Sequence, residues 1–298
     1  MNPTSIVIGM GIGSLYKSVL KELGHDVVTV DSDIAKNADF PSVVPAIFSY
    51  KHFDTAHICT PNFTHHLLTE TIAPNSKIVF IEKPGLKTSA EWQTVLSGHK
   101  SRRIMMVKNN MWRDEIPMLQ ELASRAKRIN INWINKNRVP SPGTWFTNKK
   151  YAFGGVSRDL MPHLLSIFIA LNPQQYKTAN EISRNSLRKW QLQDLLDTEY
   201  GVVNANGTYD VDDYCSIVFD DYTKSWHLTA DWKDGNNDQR NIEFIMSDGS
   251  VETFELGLCP ESAYKNMIRE AKTNLNNSAW WKEQYEQDYW IHSQVEKF

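Results

Sequence analysis

The chain is short of cysteine, of long apolar runs and of charge of one sign, and each shortage excludes something. Its three cysteines, Cys59, Cys215 and Cys259, are scattered and odd in number, which rules out a disulfide framework and the paired spacing of a zinc site. A reducing, cytoplasmic setting is the expectation that follows. No window is long and apolar enough to span a bilayer, and Met1-Asn2-Pro3-Thr4 leads into an apolar run without the basic segment of a secretory leader. Basic and acidic residues number 32 and 35 and form no long runs, so neither nucleic acid nor a membrane surface has an electrostatic handle. His65-His66 lacks the spacing and carboxylate support of a metal site, and none is expected. A small-molecule partner remains, on a chain of 298 residues that suffices for one large or two ordinary domains.

What is present reads first as alternating strands and helices. Ser5-Ile6-Val7-Ile8 is a short buried strand, Gly9-Met10-Gly11-Ile12-Gly13 the turn after it, and Leu15, Tyr16, Val19, Leu20 and Leu23 share one helical face that Gly24 ends. Val27 to Val30 is the next strand, with Asp31 at its carboxyl end. Further strands follow at His57-Ile58-Cys59, Ile78 to Ile81 and Ile104 to Val107, with a helix around Ala90 to Leu96. This predicts an α/β Rossmann domain with a doubly wound parallel sheet over residues 1–111. Past a helix from Met118 to Lys127 the pattern turns to alternation over Arg128 to Val139, Tyr214 to Asp220, Ser225 to Trp232, Asn241 to Met246 and Val251 to Leu256. Ser247-Asp248-Gly249-Ser250 reads as a hairpin turn. An α+β domain with an open, mainly antiparallel sheet is expected over 112–298. Leu187, Trp190 and Leu195 make Glu181 to Leu196 more helical than strand-like.

Gly9, Gly11 and Ser14 occupy the three glycine positions of a dinucleotide fingerprint, with serine at the third and Gly13 beside it. The turn follows a strand, opens a helix, and precedes Asp31 by about 20 residues, where an acid that binds ribose hydroxyls belongs. The context weighs against a plain glycine-rich turn. Phosphate would sit on the N–H groups of Gly11, Ile12 and Gly13 at the helix N-terminus. Asp31 would repel a 2′-phosphate, so NAD is preferred to NADP, with Lys36 the candidate phosphate partner in the other case.

Thr60-Pro61-Asn62-Phe63-Thr64-His65, Glu82-Lys83-Pro84, Gly154-Gly155, Asp159-x-x-x-His163 and Val211-Asp212-Asp213 occur in an order that resembles the Gfo/Idh/MocA oxidoreductases over nearly the whole chain. The resemblance implies a Rossmann domain followed by a domain whose open sheet mediates homo-dimers or homo-tetramers, and substrates such as sugars, nucleotide sugars or cyclitols. It implies that Thr60, Pro61, Asn62 and His65 form a second cofactor loop and that Glu82 and Lys83 lie beside the nicotinamide ribose and the substrate. Pro84 resembles a position that is often cis.

Oxidising a secondary alcohol requires hydride to leave carbon while a base takes the hydroxyl proton, and His163 has the pKa range for that work. Lys83 would stabilise charge on the same oxygen. Asp159, four residues before His163, would orient the imidazole or hold a second hydroxyl, although it is equally a good N-cap, and Pro162 fits only a helix beginning at Asp159. Lys83, Asp159 and His163 are therefore the candidate catalytic residues. Asn110-Met111 and Ser166 depart from the family, where an arginine and an acid are common. Trp145 and Tyr151 are candidate sugar-stacking rings, with core packing the alternative, and Arg158 and Lys149-Lys150 are candidate receivers of a substrate carboxylate or phosphate, with a solvated charge cluster the favoured alternative. Two alternatives to a CH–OH dehydrogenase are a regulator of the same fold that binds a dinucleotide or sugar without chemistry, and a reductase of C=N or conjugated double bonds.

Overall fold

The computed structural model describes residues 2–298, which divide into two compact units: the chain up to residue 107 with 261–293, and residues 108–260 with 294–298. In the first unit β1 (Thr4–Ile8), α1 (Gly13–Glu22), β2 (Asp26–Val30), α2 (Val43–Tyr50), β3 (Phe53–Ile58), α3 (His65–Ile72), β4 (Ser76–Ile81), α4 (Ser89–Gly98) and β5 (Arg103–Met106) alternate along the chain. The five strands form one sheet in the order β2-β1-β3-β4-β5, parallel throughout. Their apolar runs are continuous because both faces are covered, and Ile6, Ala56, Val79 and Ile104 have no exposed surface. Register matters most for function. Ile8 pairs with Val30 and Ile58, Ile58 with Ile81, and Ile81 with Met106. The strands therefore end in one row, and the residues after them, Gly9, Asp31, Thr60 and Lys83, emerge along one edge of the sheet. The order reverses between β1 and β3, which is where such sheets bind ligands.

The second unit contains α5 (Ile116–Arg125), β6 (Arg128–Ile134), α6 (Lys149–Ala152), α7 (Val156–Asp159), α8 (Met161–Leu171), β7 (Asn180–Leu187), β8 (Tyr214–Asp220), β9 (Ser225–Asp231), β10 (Gln239–Ile245) and β11 (Val251–Glu255). Its sheet runs β11-β10-β6-β9-β8-β7, antiparallel except for the β6–β9 pair. Strand β8 alternates strictly, with Cys215, Ile217 and Phe219 buried. The inner face packs on α8, where Phe168 stacks on Phe219 at 5.0 Å and meets Trp226 edge-on at 5.0 Å. The opposite face is polar, with Asn130 bonded to Glu243 and Asn132 to Asn241. Ser247-Asp248-Gly249-Ser250 closes the β10–β11 hairpin, with Gly249 at φ 89° and Met246 N–H donating to Ser250 O at 2.9 Å.

Two expectations need correction. Asn180–Leu187 is a strand, not a helix. It lies at the sheet edge with no buried face and pairs with β8 through a bulge between Glu181 and Ser183. The helical spacing arose because Leu187 belongs to that strand whereas Leu195 is buried in a separate short turn, Leu192–Leu195. The expected second domain also ran to residue 298. Instead α9 (Glu261–Thr273) and most of α10 (Ser278–Val295) belong to the first unit, where Asp288 accepts from Met106 N–H at 3.0 Å and Leu275 O accepts from Arg103 Nε at 3.0 Å.

Candidate functional site

The glycine turn divides its tasks in a way the spacing alone does not reveal. Gly9 holds φ at 90°, and a Cβ there would lie 2.7 Å from Cys59 O and 2.9 Å from Thr60 Cγ2, so only glycine lets the turn pass the end of β3. A Cβ on Gly13 would meet Val7 Cγ1 at 2.8 Å. Gly13, rather than Ser14, is therefore the residue that lets α1 pack closely on β1. Ser14 instead donates through Oγ to Met10 O at 2.9 Å. A Cβ on Gly11 would meet nothing within 4 Å, which leaves the approach to the helix N-terminus open for a pyrophosphate.

Asp31 is built for a second task as well. One carboxylate oxygen accepts from Met10 N–H at 2.6 Å and the other from Asp33 N–H at 2.9 Å. Each oxygen keeps a further lone pair, so the group is anchored to the turn and still able to accept from ribose hydroxyls. Ile12 is exposed at the helix start, and Lys36 is exposed in the turn Ile34–Lys36.

The second loop is tied to the strand end that carries Lys83. Thr64 Oγ1 donates to Pro61 O at 2.7 Å and in turn accepts from Thr60 Oγ1 at 2.6 Å, which folds Thr60-Pro61-Asn62 tightly before α3. His65 does not line an open surface. It is wholly buried, with its ring between Thr60 O at 2.8 Å and Gly85 O at 2.7 Å. Burial holds its pKa below the usual value although both carbonyls work the other way. His65 thus ties the two loops together through its ring. On the other side His292 of α10 accepts at Nε2 from Leu86 N–H at 3.0 Å while its Nδ1 donates to Asp288 O at 2.6 Å. Two histidines grip the Lys83-Pro84-Gly85-Leu86 segment, whose Lys83–Pro84 peptide is cis.

Glu82 accepts from Tyr16 Oη at 2.7 Å and from Lys83 N–H at 3.2 Å. Loss of hydration pushes its carboxyl above the ordinary range, against the pull of Tyr16 and the Lys83 charge. Tyr16 itself is buried between His57 and Tyr264, at ring distances of 5.0 and 5.4 Å. The sequence offered Tyr16 only as a core residue of α1. Its partner 66 positions away left no local signal.

In the second unit every residue of α8 is buried except His163. Its ring stacks on Trp133 at 5.2 Å, and its Nδ1 lies 3.2 Å from Asn110 Nδ2. Arg113 Nε donates to Asn110 Oδ1 at 2.9 Å, and the Arg240 guanidinium lies over the Trp133 ring, 3.9 Å from its centre. Burial, with Arg138 and Arg113 nearby, lowers the Arg240 pKa to about 10. Trp133, Arg113 and Arg240 escaped the sequence reading because they sit on separate strands and turns. Asn110 was visible only as a departure from the family.

Asp159 and His163 do not share one helix. The chain breaks at Leu160, between α7 and α8, and Pro162 occupies the first turn of α8, where its missing N–H costs nothing. Asp159 is neither the cap of α8 nor one regular turn before His163, and its carboxylate accepts from Trp232 Nε1 at 2.9 Å. Gly154-Gly155 and Val211-Asp212-Asp213 interlock. Asp212 accepts from Gly155 N–H and Ser157 N–H at 2.9 and 2.8 Å, and a Cβ on Gly155 would strike the Asp212 backbone. Arg158 is only 8% exposed, with its stem against Gly154 and its charge faced by Glu296 and Asp212. It is a packed arginine and not part of a solvated charge cluster. Trp145 stacks on Phe146 at 4.0 Å, and Tyr151 is exposed beside Lys150. Among the described residues no group of three or more His, Cys, Asp or Glu side chains is placed to hold a metal ion.

A parallel sheet with this glycine turn and an acid after its second strand defines a dinucleotide-binding fold. Comparison with known proteins agrees. The family model described as "Oxidoreductase family, NAD-binding Rossmann fold" (GFO_IDH_MocA) matches residues 17–108. A protein of Amycolatopsis mediterranei (strain S699) named "Putative UDP-kanosamine synthase oxidoreductase subunit" is 25% identical over 280 residues, covering 86% of this chain and 75% of that protein. Among solved structures, GenD2 from gentamicin A biosynthesis, in complex with NAD, is similar with a TM-score of 0.77 at 15% identity over 99% of this chain and 92% of its own. A myo-inositol dehydrogenase from Corynebacterium glutamicum ATCC 13032 gives 0.71 at 12% identity over 99% and 95%. The structural likenesses establish the fold alone. The family match covers the dinucleotide-binding part of the chain and, with the relative, makes the chain similar to the Gfo/Idh/MocA oxidoreductases.

Proposed function

We propose that this protein is an NAD-linked dehydrogenase or reductase that moves a hydride between the nicotinamide and a hydroxyl-bearing or keto carbon of a sugar, nucleotide-sugar or cyclitol-like substrate. The observation that carries the cofactor half is the open approach at Gly11 beside an Asp31 carboxylate anchored to the Met10 N–H. A 2′-phosphate would bring like charge to that carboxylate, and NAD is the preferred cofactor for that reason. The substrate half is supported by the polar group around His163 in an otherwise buried helix, with the Trp133 ring beside it. The names of the relatives point to the same chemical class, a nucleotide sugar in one and an inositol in the other.

When bound, the dinucleotide supplies the hydride acceptor for oxidation and the donor for reduction. The side chains bind and orient. Gly11, Ile12 and Gly13 offer N–H groups to phosphate, Asp31 accepts from ribose hydroxyls, and the folded Thr60-Pro61-Asn62 turn and Glu82 border the remainder of the cofactor. Lys83 brings positive charge to an oxygen that becomes negative in reduction as hydride reaches the carbonyl carbon, and in oxidation as the hydroxyl proton leaves. His163 hydrogen-bonds the reacting oxygen, and Asp159 orients the imidazole or holds a second substrate hydroxyl while accepting from Trp232 Nε1.

Replacing His163 by Ala should lower turnover by about 100- to 10,000-fold, the range of a positioned proton-bearing group. The Kd for NADH, read by tryptophan quenching, should stay within about twofold, since no cofactor contact is lost. Unchanged turnover would remove His163 from the chemistry. A protein that binds both ligands but exchanges no hydride would be a sensor of the same fold.

A further inference from the structure

The amide of Asn110 is fixed from three sides, and its orientation decides what His163 can do. Arg113 Nε points at Oδ1 from 2.9 Å, and a guanidinium has only donors, so the atom facing it must be the amide oxygen. The NH2 group then faces Asn109 Oδ1 at 3.4 Å and His163 Nδ1 at 3.2 Å. Asn110 N–H also donates to Asn109 Oδ1 at 3.0 Å, which holds that oxygen in place. Turning the amide over would set NH2 against the guanidinium and oxygen against oxygen at once. Asn109, Asn110 and Arg113 are 4%, 2% and 6% exposed, so water does not relieve either mismatch.

An NH2 group has no lone pair for an imidazole N–H. His163 Nδ1 must therefore be the acceptor, and the neutral ring carries its proton on Nε2. Stacking on Trp133, with planes 26° apart, restrains the ring orientation as well. We propose that Asn110 and Arg113 are positioning residues that hold His163 as an Nε2–H donor, so that His163 gives a hydrogen bond to the reacting oxygen while that oxygen exchanges its proton with solvent water rather than with the ring. Proton uptake by the ring would have to occur at Nδ1, breaking the bond to Asn110 and setting N–H against N–H. A fixed donor suits an oxygen gaining negative charge and replaces the acid/base role that residue type alone implied. The consequence for substrate oxygen rests on the functional reading given above. The tautomer does not.

The test is two-bond 1H–15N correlation of the full-length protein labelled with 15N-histidine, near neutral pH and without ligand, with H163Q identifying the His163 signals among the nine histidines. The expected result is an unprotonated, pyridine-type Nδ1 and a protonated Nε2. N110D keeps an acceptor for Arg113 but replaces the donor facing the ring, and should move the proton to Nδ1. Wild-type His163 protonated at Nδ1 would overturn the inference, and that measurement needs no variant to fold beyond the one used for assignment. Should the tautomer be as stated while H163A keeps full turnover, the substrate-facing role fails and the positioning of the ring stands. Loss of turnover in H163A with the wild-type proton on Nδ1 would mean the opposite, a His163 that serves the substrate but is not set by Asn110.

Discussion

Single residues of the glycine turn carry separable duties, which substitutions should expose. G13A forces a Cβ to within 2.8 Å of Val7 Cγ1 on a buried strand, and overpacking of that kind costs about 1–3 kcal/mol. Its melting temperature should fall while any folded protein still binds the dinucleotide. G11A puts a methyl group into open space, so stability should change by about 1 kcal/mol at most, yet NADH affinity should drop at least about tenfold because the methyl group occupies the approach to the phosphates. Calorimetry and fluorescence titration of both variants check the pair. Equal loss of affinity without loss of stability in both would contradict this division of labour. The fingerprint spacing announced the site, but which glycine packs and which opens is a matter of where each Cβ would point.

At the scale of elements, the centre of the first sheet hides a polar chain. Lys272 Nζ meets His25 Nε2 at 2.6 Å, His25 Nδ1 meets Ser5 Oγ at 2.6 Å, and the contacts continue through Thr55 to His57 Nε2 at 2.9 Å. Burial lowers the His57 pKa to about 3. Burial and the Lys272 charge lower that of His25 to about 4. Both rings are neutral when folded, whereas the unfolded chain takes up protons below about pH 6.5. Their contribution to stability is therefore present above about pH 6.5 and is lost as pH falls toward the folded values of about 4 and about 3. Glu82, raised by burial, works in the opposite sense, favouring the fold as pH drops. Urea unfolding across about pH 3.5 to 6.5 should show H57Q taking up about one proton fewer on unfolding than the parent chain. An unchanged pH slope would mean that His57 is not the buried neutral group described.

Elements with a buried face were legible in the sequence, and those without one were not. Strands β1, β4, β8 and β9 announced themselves by continuous or alternating apolar residues, because burial on two faces or one leaves that signature. Edge strand β7 has no buried face to mark it, and its isolated apolar residues mimicked a helix. Asp159 and His163 were found by spacing, but the break at Leu160 follows from Pro162 at the start of α8 and not from that spacing. The grip of His65 on Gly85 and of His292 on Leu86 joins residues 20 and 206 positions apart, beyond the reach of any local pattern.

For the whole molecule the main surprise is the return of residues 261–293 to the first unit. Asp288 is fully buried on α10 and accepts from Met106 N–H at the end of β5. D288A leaves that N–H without this partner and should cost about 1–3 kcal/mol, with D288N, which keeps an acceptor, costing less. Thermal melts of the two variants decide the point, and equal melting temperatures would deny Asp288 that role. No helix among the described residues is long and apolar enough to cross a membrane. The polar open face of the second sheet is the surface on which association between copies is expected, and light scattering of the purified protein reads its mass directly.

The central claim is a nicotinamide dinucleotide seated on the Gly9–Gly13 turn with its ribose on Asp31. Titration of the purified protein with NADH and with NADPH, following quenching of emission from its 10 tryptophans and energy transfer to the reduced nicotinamide, tests it most directly. Saturable binding with clear preference for NADH, reduced in D31A, is the predicted result. Preference for NADPH would contradict the role given to Asp31, and binding of neither by folded protein would contradict the dehydrogenase reading itself.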